Sequence, residues 1–142
     1  MQIHALVINN RDTMRQILIR NLELSRLAEF TFSEAKNLSD ALARIDPAKT
    51  DMIFLEWEAS SAIVSDFIRR VRTKQRRHIP IVIITTDSAL VKLEQEADDG
   101  GVDYYAIRPF TAPTLYQKLA PFFQRLATSP QRKAPTQHWQ PV

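Results

Sequence analysis

Apolar positions along this chain come in short unbroken runs separated by longer stretches with helical spacing. Residues 3–8 form a brief apolar run of strand length, ended by Asn9 and Asn10. Asp12 or Thr13 can then cap a helix. On it Met14, Leu18 and Leu22 recur at i, i+4 and i+8, with Ile17 and Leu24 widening the stripe. Residues 29–34 alternate Phe30 and Phe32 with polar neighbours, as a second strand does. Ser39 or Asp40 opens a short helix to Ile45, stopped by Pro47.

Residues 52–55 and 81–84 are wholly apolar, the pattern of central strands covered on both faces. Between them a helix turns Ile63, Phe67, Ile68 and Val71 inward and carries a basic run from Arg69 to Arg77. Asp87 can cap a fourth helix bearing Leu90, Leu93 and Ala97, which Gly100 and Gly101 end because glycine accepts the left-handed cap conformation. Residues 102–107 make a fifth strand, and a last helix holds Leu115, Leu119, Phe122, Phe123 and Leu126. Pro121 lies inside that last pattern and should kink it, since it removes the bond to the carbonyl of Gln117. Strands alternating with helices in this way predict a doubly wound α/β fold with a parallel sheet. Residues 1–127 are read as the domain. Residues 128–142, with three prolines and no apolar period, are read as a disordered tail.

Composition narrows the chemistry. At 142 residues the chain has the length of one ordinary domain. It has no cysteine, which excludes disulfides, thiolate nucleophiles and cysteine-bound zinc. Its two glycines are adjacent, so a Walker loop, a GxGxxG turn and a GxSxG elbow cannot be written. Nineteen Lys and Arg against sixteen Asp and Glu give +3, and Arg132 and Lys133 in the tail supply two of these charges. A pI near 9.4 is therefore weak support for nucleic acid as a partner. No apolar run reaches spanning length and the N-terminus lacks a signal-peptide pattern, so a cytoplasmic protein without membrane contact is expected.

In an open parallel sheet, chemistry sits beyond the carboxyl ends of the strands. Those ends present Asn9 and Asn10, Glu56, Thr85, and Arg108 followed by Pro109. With the blocks Leu6-Val7-Ile8-Asn9-Asn10, Asp51-Met52-Ile53-Phe54-Leu55-Glu56, Ile79-Pro80-Ile81-Val82-Ile83-Ile84-Thr85 and Gly101-Val102-Asp103-Tyr104-Tyr105-Ala106-Ile107-Arg108-Pro109-Phe110, the chain resembles a response regulator receiver domain from about Ile3 to Leu126. The resemblance implies a flavodoxin-like (βα)5 fold with strand order 2-1-3-4-5. It also implies an aspartyl phosphoacceptor, an acidic pair holding magnesium, a hydroxyl that follows the phosphoryl group, a pairing lysine, and an aromatic switch residue at Tyr105. It places Arg108–Pro109 at a strand-to-helix turn, where a cis bond is expected.

This chain departs from that pattern. Asn9 and Asn10 stand at the acidic pair, Glu56 at the phosphoacceptor and Arg108 at the lysine, while Thr85 keeps the hydroxyl. Three carboxylates become one, so the aligned positions are already neutral and offer magnesium amide oxygens in place of carboxylates. Without that metal, phosphoryl transfer loses several kcal/mol of charge stabilisation, roughly a thousandfold in rate. Glu56, one methylene longer than aspartate, can imitate the phosphorylated state, bonding Thr85 and pairing with the planar fork of Arg108 in two-bond fashion. The plainer reading is a drifted site whose ion pair only joins strand ends.

Other features carry less. His4, His78 and His138 are far apart, so no metal site is assigned. Tyr105 can equally be a half-buried strand residue, and the basic run from Arg69 to Arg77 a solvated helix end favoured by the dipole. Trp57 can cover the pocket mouth or simply pack on its loop. Trp139 lacks a second aromatic beside it. The reading is a degenerate single-domain receiver, without enzyme activity or cofactor, that binds another signalling protein through the fourth helix, fifth strand and fifth helix, with a homodimer as a further arrangement. The alternatives are a receiver phosphorylated inefficiently on Glu58, Asp12 or Asp87, and a basic nucleic-acid-binding adaptor, for which stacking aromatics are lacking.

Overall fold

The computed structural model describes residues 1–56, 61–74, 78–86 and 102–128. In chain order its elements are β1 (Gln2–Ile8), α1 (Asp12–Ser25), β2 (Glu29–Ala35), α2 (Leu38–Arg44), β3 (Met52–Glu56), α3 (Ser61–Lys74), β4 (Ile81–Thr85), β5 (Tyr104–Ile107) and α4 (Ala112–Thr128). The strands form one five-stranded sheet in the order β2-β1-β3-β4-β5, every pairing parallel, as the alternation of elements predicts. The helix expected over 87–99, its Gly100–Gly101 stop, Trp57, Arg76, Arg77 and the tail from 129 lie outside the described residues.

Strand alternation sends β3 and β4 into two cores. Met52, Phe54, Val82 and Ile84 face a core closed by α1 and α4. Ile53, Leu55, Ile81 and Ile83 face a second, closed by α2 and α3. A chain of rings crosses the first core, from Phe30 on β2 to Phe54 and to Phe123, then Phe122 and Tyr104, with centroids 5.5 to 6.5 Å apart. Each fully buried side chain of this size contributes about 1.5–3 kcal/mol relative to exposure. Both central strands therefore owe their position to apolar burial rather than to pairing alone.

Several local details differ from the sequence reading. Residue Arg11, not Asp12 or Thr13, is the N-cap of α1, and its side chain makes no capping bond. Asn37 caps α2, accepting a bond from the Asp40 amide, so that helix opens earlier than Ser39. The buried stripe of α1 is Arg15, Leu18, Leu22 and Ser25, while Ile17 and Leu24 are 43% and 59% exposed. Ile63 likewise points outward, because α3 buries Val64, Phe67, Ile68 and Val71. Apolar composition widened both stripes beyond the arc that the sheet covers. Pro121 lies inside α4, on its exposed side. Among the described residues no helix is long and apolar enough to cross a membrane.

At the amino end of the sheet Asp103 ties three segments together. Its carboxylate accepts from Arg72 Nη2 at 3.0 Å, from the Ile81 amide at 2.8 Å, and lies 2.6 Å from His78 Nε2. Arg72 also donates to the Ile79 carbonyl at 2.5 Å. Burial lowers the pKa of Arg72, and Asp103 opposes that shift. Replacing Asp103 with Ala removes the carboxylate that faces the half-buried guanidinium and should cost about 2–3 kcal/mol in urea denaturation. Arg72→Met, which leaves the Asp103 carboxylate its contacts with the Ile81 amide and His78, should cost less. At α2, the Lys36 amide and then Arg44 hold Asp40 below the usual carboxylate range. Its contribution is present at neutral pH and lost as the pH falls through that lowered value. Asp40→Asn should therefore flatten the acid limb of stability against pH, measured by thermal melts.

Candidate functional site

Register brings the candidate residues to one edge. Ile8 pairs with Leu55, Glu56 with Ile84, and Thr85 with Ile107. The residue after each of these steps, Asn9, Glu56, Thr85 and Arg108, thus rises in a staircase along the carboxyl edge. The Asn9 amide donates to the Ala35 carbonyl at 3.1 Å and the Arg108 amide to the Thr85 carbonyl at 2.7 Å, extending the ladders past the strands.

Three of these side chains are deeply placed. Glu56 has a fully buried side chain, Thr85 is buried, and Asn9 is buried beside them in the ladder while Asn10 is exposed. Arg108 Nη1 lies 3.5 Å from Glu56 Oε2. At this distance it is an ion pair longer than a good hydrogen bond, where the sequence suggested a two-bond fork. The Thr85 hydroxyl is buried with no hydrogen-bond partner among the described residues, so the expected Glu56–Thr85 bond is not made. Tyr105 is half-buried against the α2/α3 core, as its strand parity requires. The Arg108–Pro109 peptide is cis, as expected.

A second cation, Arg15, organises the opposite wall. Its side chain is 7% exposed and reaches back from α1 beneath the β1–α1 loop. Nη1 donates to the Asn9 carbonyl at 2.6 Å, Nε to Glu34 at 2.9 Å, and Nη2 to Asp12. Burial opposes the charge on Arg15, but the bonds to Glu34 and Asp12 outweigh it and raise its pKa above the ordinary arginine value. Asn9 Oδ1 meanwhile accepts from the Arg11 amide at 2.8 Å, so the side-chain oxygen is used by the loop itself. Sequence reasoning gives Arg15 no role. The signal was there: Arg15, Leu18 and Leu22 share the inner stripe, and a cation on such a stripe needs anions facing it.

The two described histidines are held separately. His4 sits between the hydroxyls of Thr31 and Ser33, each at 2.7 Å, and His78 meets Asp103. His138, Glu58 and Asp87 lie outside the described residues. Among the described residues no three His, Asp or Glu side chains converge as a metal site would require.

With the geometry in place, comparison with known proteins is decisive. The chemotaxis protein CheY of Pseudomonas aeruginosa is 32% identical over 124 residues, covering 85% of this chain and 96% of that protein. A second, CheY1 of Helicobacter pylori, is 34% identical over 116 residues, covering 80% and 91%. The chain belongs to the CheY-like response regulator receiver family. No protein-family model matches it. Among solved structures, the receiver domain of AraT from Geobacillus stearothermophilus superposes with a TM-score of 0.69 at 19% identity, covering 89% of this chain and 96% of that one. A two-component response regulator from Clostridium difficile gives 0.64 at 24% identity, covering 90% and 100%. These two likenesses speak to the fold.

In this receiver Arg15 joins α1, β2 and the loop after β1. Arg15→Ala leaves Glu34, Asp12 and the Asn9 carbonyl without their shared donor and should destabilise by about 2–4 kcal/mol in chemical denaturation. Arg15→Lys, a single point of charge, should recover only part of that loss.

Proposed function

We propose that this receiver works as a protein-interaction module whose output does not depend on phosphoryl transfer, with Glu56 standing in for a phosphorylated acceptor. The observation that carries the reading is the pairing of the buried Glu56 carboxylate with Arg108 at the carboxyl edge of the sheet. Its site already contains both an anion and the cation that answers it.

The residues present fit a magnesium ion poorly. Asn9 directs its oxygen to the Arg11 amide, Asn10 is exposed, and the neighbouring carbonyl of Asn9 accepts from a guanidinium. A hard dication prefers several carboxylate oxygens that are free to turn towards it. Asp12, one acid considered as a substitute acceptor, is engaged by Arg15. We place the partner-binding surface on the side of β5 and α4, with Tyr105 as the residue that relays the state of the edge, and we place the protein in the cytoplasm without a nucleic-acid or membrane partner.

Millimolar magnesium with acetyl phosphate should leave the intact mass unchanged, and magnesium with beryllofluoride should leave the amide NMR signals of Thr85, Tyr105 and Arg108 in place. The variant Glu56→Gln, by contrast, should shift those same signals, because it removes the charge that answers Arg108. One stoichiometric phosphoryl group on the wild-type protein sinks the proposal in favour of a receiver phosphorylated on another acid. Unmoved Tyr105 signals in Glu56→Gln identify the pair as a strand-end ion pair only.

A further inference from the structure

The β2 strand ends the sheet on one side, so half of its backbone groups have no neighbouring strand. In a parallel ladder alternate residues of a strand turn both N–H and C=O to the same side. The Glu29 amide donates to the Met1 carbonyl at 2.8 Å and the Ala35 carbonyl accepts from the Asn9 amide at 3.1 Å, so Glu29, Thr31, Ser33 and Ala35 face β1. Phe30, Phe32 and Glu34 therefore direct three donors and three acceptors outward, where no strand among the described residues meets them.

Exposed strand edges are commonly blunted by shortness, proline, lysine or a bulge. Over residues 29–35 none of these is present: the strand runs for seven residues, pairs with β1 in unbroken register, and contains neither Pro nor Lys. At the other end of the sheet β5 has only four residues. The side chains of β2 divide by face. Phe30 and Phe32 lie on the α1/α4 face, their rings stacked at 5.4 Å, and Glu34 shares that face through its bond to Arg15. Thr31 and Ser33 lie on the opposite face, where both hydroxyls meet the His4 ring at 2.7 Å.

These seven residues are complementary to themselves. A twofold axis at Phe32 sets a second β2 antiparallel to the first and is the one axis position that pairs all three outward residues, Phe32 with its own copy and Phe30 with Glu34 in both directions. Each such pair exchanges two bonds, so every outward donor and acceptor of the strand is used. In this register the Phe32 rings meet on one face, while on the other Thr31 opposes Ser33, hydroxyl to hydroxyl, and Glu29 opposes Ala35. No like charges stand opposite each other, and Glu34 is already answered by Arg15 and Gln16 of its own chain. An axis at Glu34 would set two carboxylates face to face, and an axis at Phe30 would leave the Glu34 backbone unpaired.

We infer that β2 is a contact between two copies of this chain, which join edge to edge into a continuous ten-stranded sheet about a twofold axis at Phe32. The two edges satisfy each other, so the assembly closes at two copies. A foreign extended segment supplies the backbone bonds alone, whereas the match of Phe32 to itself and of Thr31 to Ser33 is written in this chain. The surface is separate from the carboxyl-edge site and does not rest on the function proposed for it.

Sedimentation of the full chain across a concentration series, with amide hydrogen exchange at the same concentrations, tests the proposal. The expected result is a reversible doubling of the 16.4 kDa mass. Exchange at Phe30, Phe32 and Glu34 should slow as the dimer forms, while Thr31 and Ser33, already turned to β1, should change little. Thr31→Lys and Ser33→Glu each put like charges on diagonal neighbours across the axis and should weaken association at least tenfold. The double variant faces every lysine with a glutamate of the other copy and should recover most of that loss. Should a single variant fail to fold, the exchange pattern of the unaltered chain still decides. A chain that stays monomeric at millimolar concentration overturns the proposal, as does a dimer in which Phe30, Phe32 and Glu34 exchange as fast as in the monomer, or undiminished association of both folded single variants. A monomeric chain whose same three amides are protected by an added extended peptide of alternating Val and Thr also overturns it and assigns the edge to a foreign strand.

Discussion

The parallel register of β1, β3, β4 and β5 is the constraint on which this receiver depends. Each strand must keep its apolar residues in phase with its neighbour, because a one-residue slip would exchange the contents of the two cores. That requirement, set by Phe54 and Ile84 on one face and Leu55 and Ile83 on the other, also decides which residues emerge at the carboxyl edge. Asn9, Glu56, Thr85 and Arg108 come together there as a by-product of core packing. The site and the fold are therefore stabilised by the same contacts.

Charge at that edge is balanced from within the chain. Arg108 answers Glu56, and Arg15 answers Glu34 and Asp12, so two guanidinium groups occupy the surroundings where a receiver of the usual pattern gathers carboxylates around a dication. Each cation also has a positional effect: Arg15 pins the carbonyl of Asn9, and Arg108 extends the ladder, its amide donating to the Thr85 carbonyl. Internal counter-charges of this kind do not come and go with metal concentration. This is the physical basis of the function proposed for the site. The buried Thr85 hydroxyl makes no hydrogen bond among the described residues.

The helices contribute unequally to the two faces. On the α2/α3 face, aliphatic side chains such as Val64, Ile68 and Val71 close the core. On the other face α1 and α4 bury aromatic rings inside while leaving Ile17, Leu24 and Tyr116 outside. A helix buries only the arc that meets its neighbours, and α1 devotes part of that arc to Arg15. Apolar residues beyond the arc are left for solvent or for a partner.

Much of this was legible along the chain. Wholly apolar runs at 52–55 and 81–84 identified the central strands, and the alternation of elements predicted the parallel, doubly wound sheet, since each short apolar run must be covered on both faces. The polar residue after each run marked the edge, so Asn9, Glu56, Thr85 and Arg108 could be named without coordinates. Contacts between residues distant in sequence could not. Periodicity measures how apolar a helix face is, not how wide an arc its neighbours cover, which is why Ile17, Leu24 and Ile63 were assigned inward and lie outside. Nor does spacing reveal that Arg15 meets Glu34 across nineteen residues, that Asp103 joins Arg72 across thirty-one, or that Arg108 lies 3.5 Å from the Glu56 carboxylate. Sequence determined which residues are brought to the edge, because the period of a strand is local. The tertiary structure alone decided how their charges pair, because ion-pair geometry is set by the packing of segments that the chain order keeps apart.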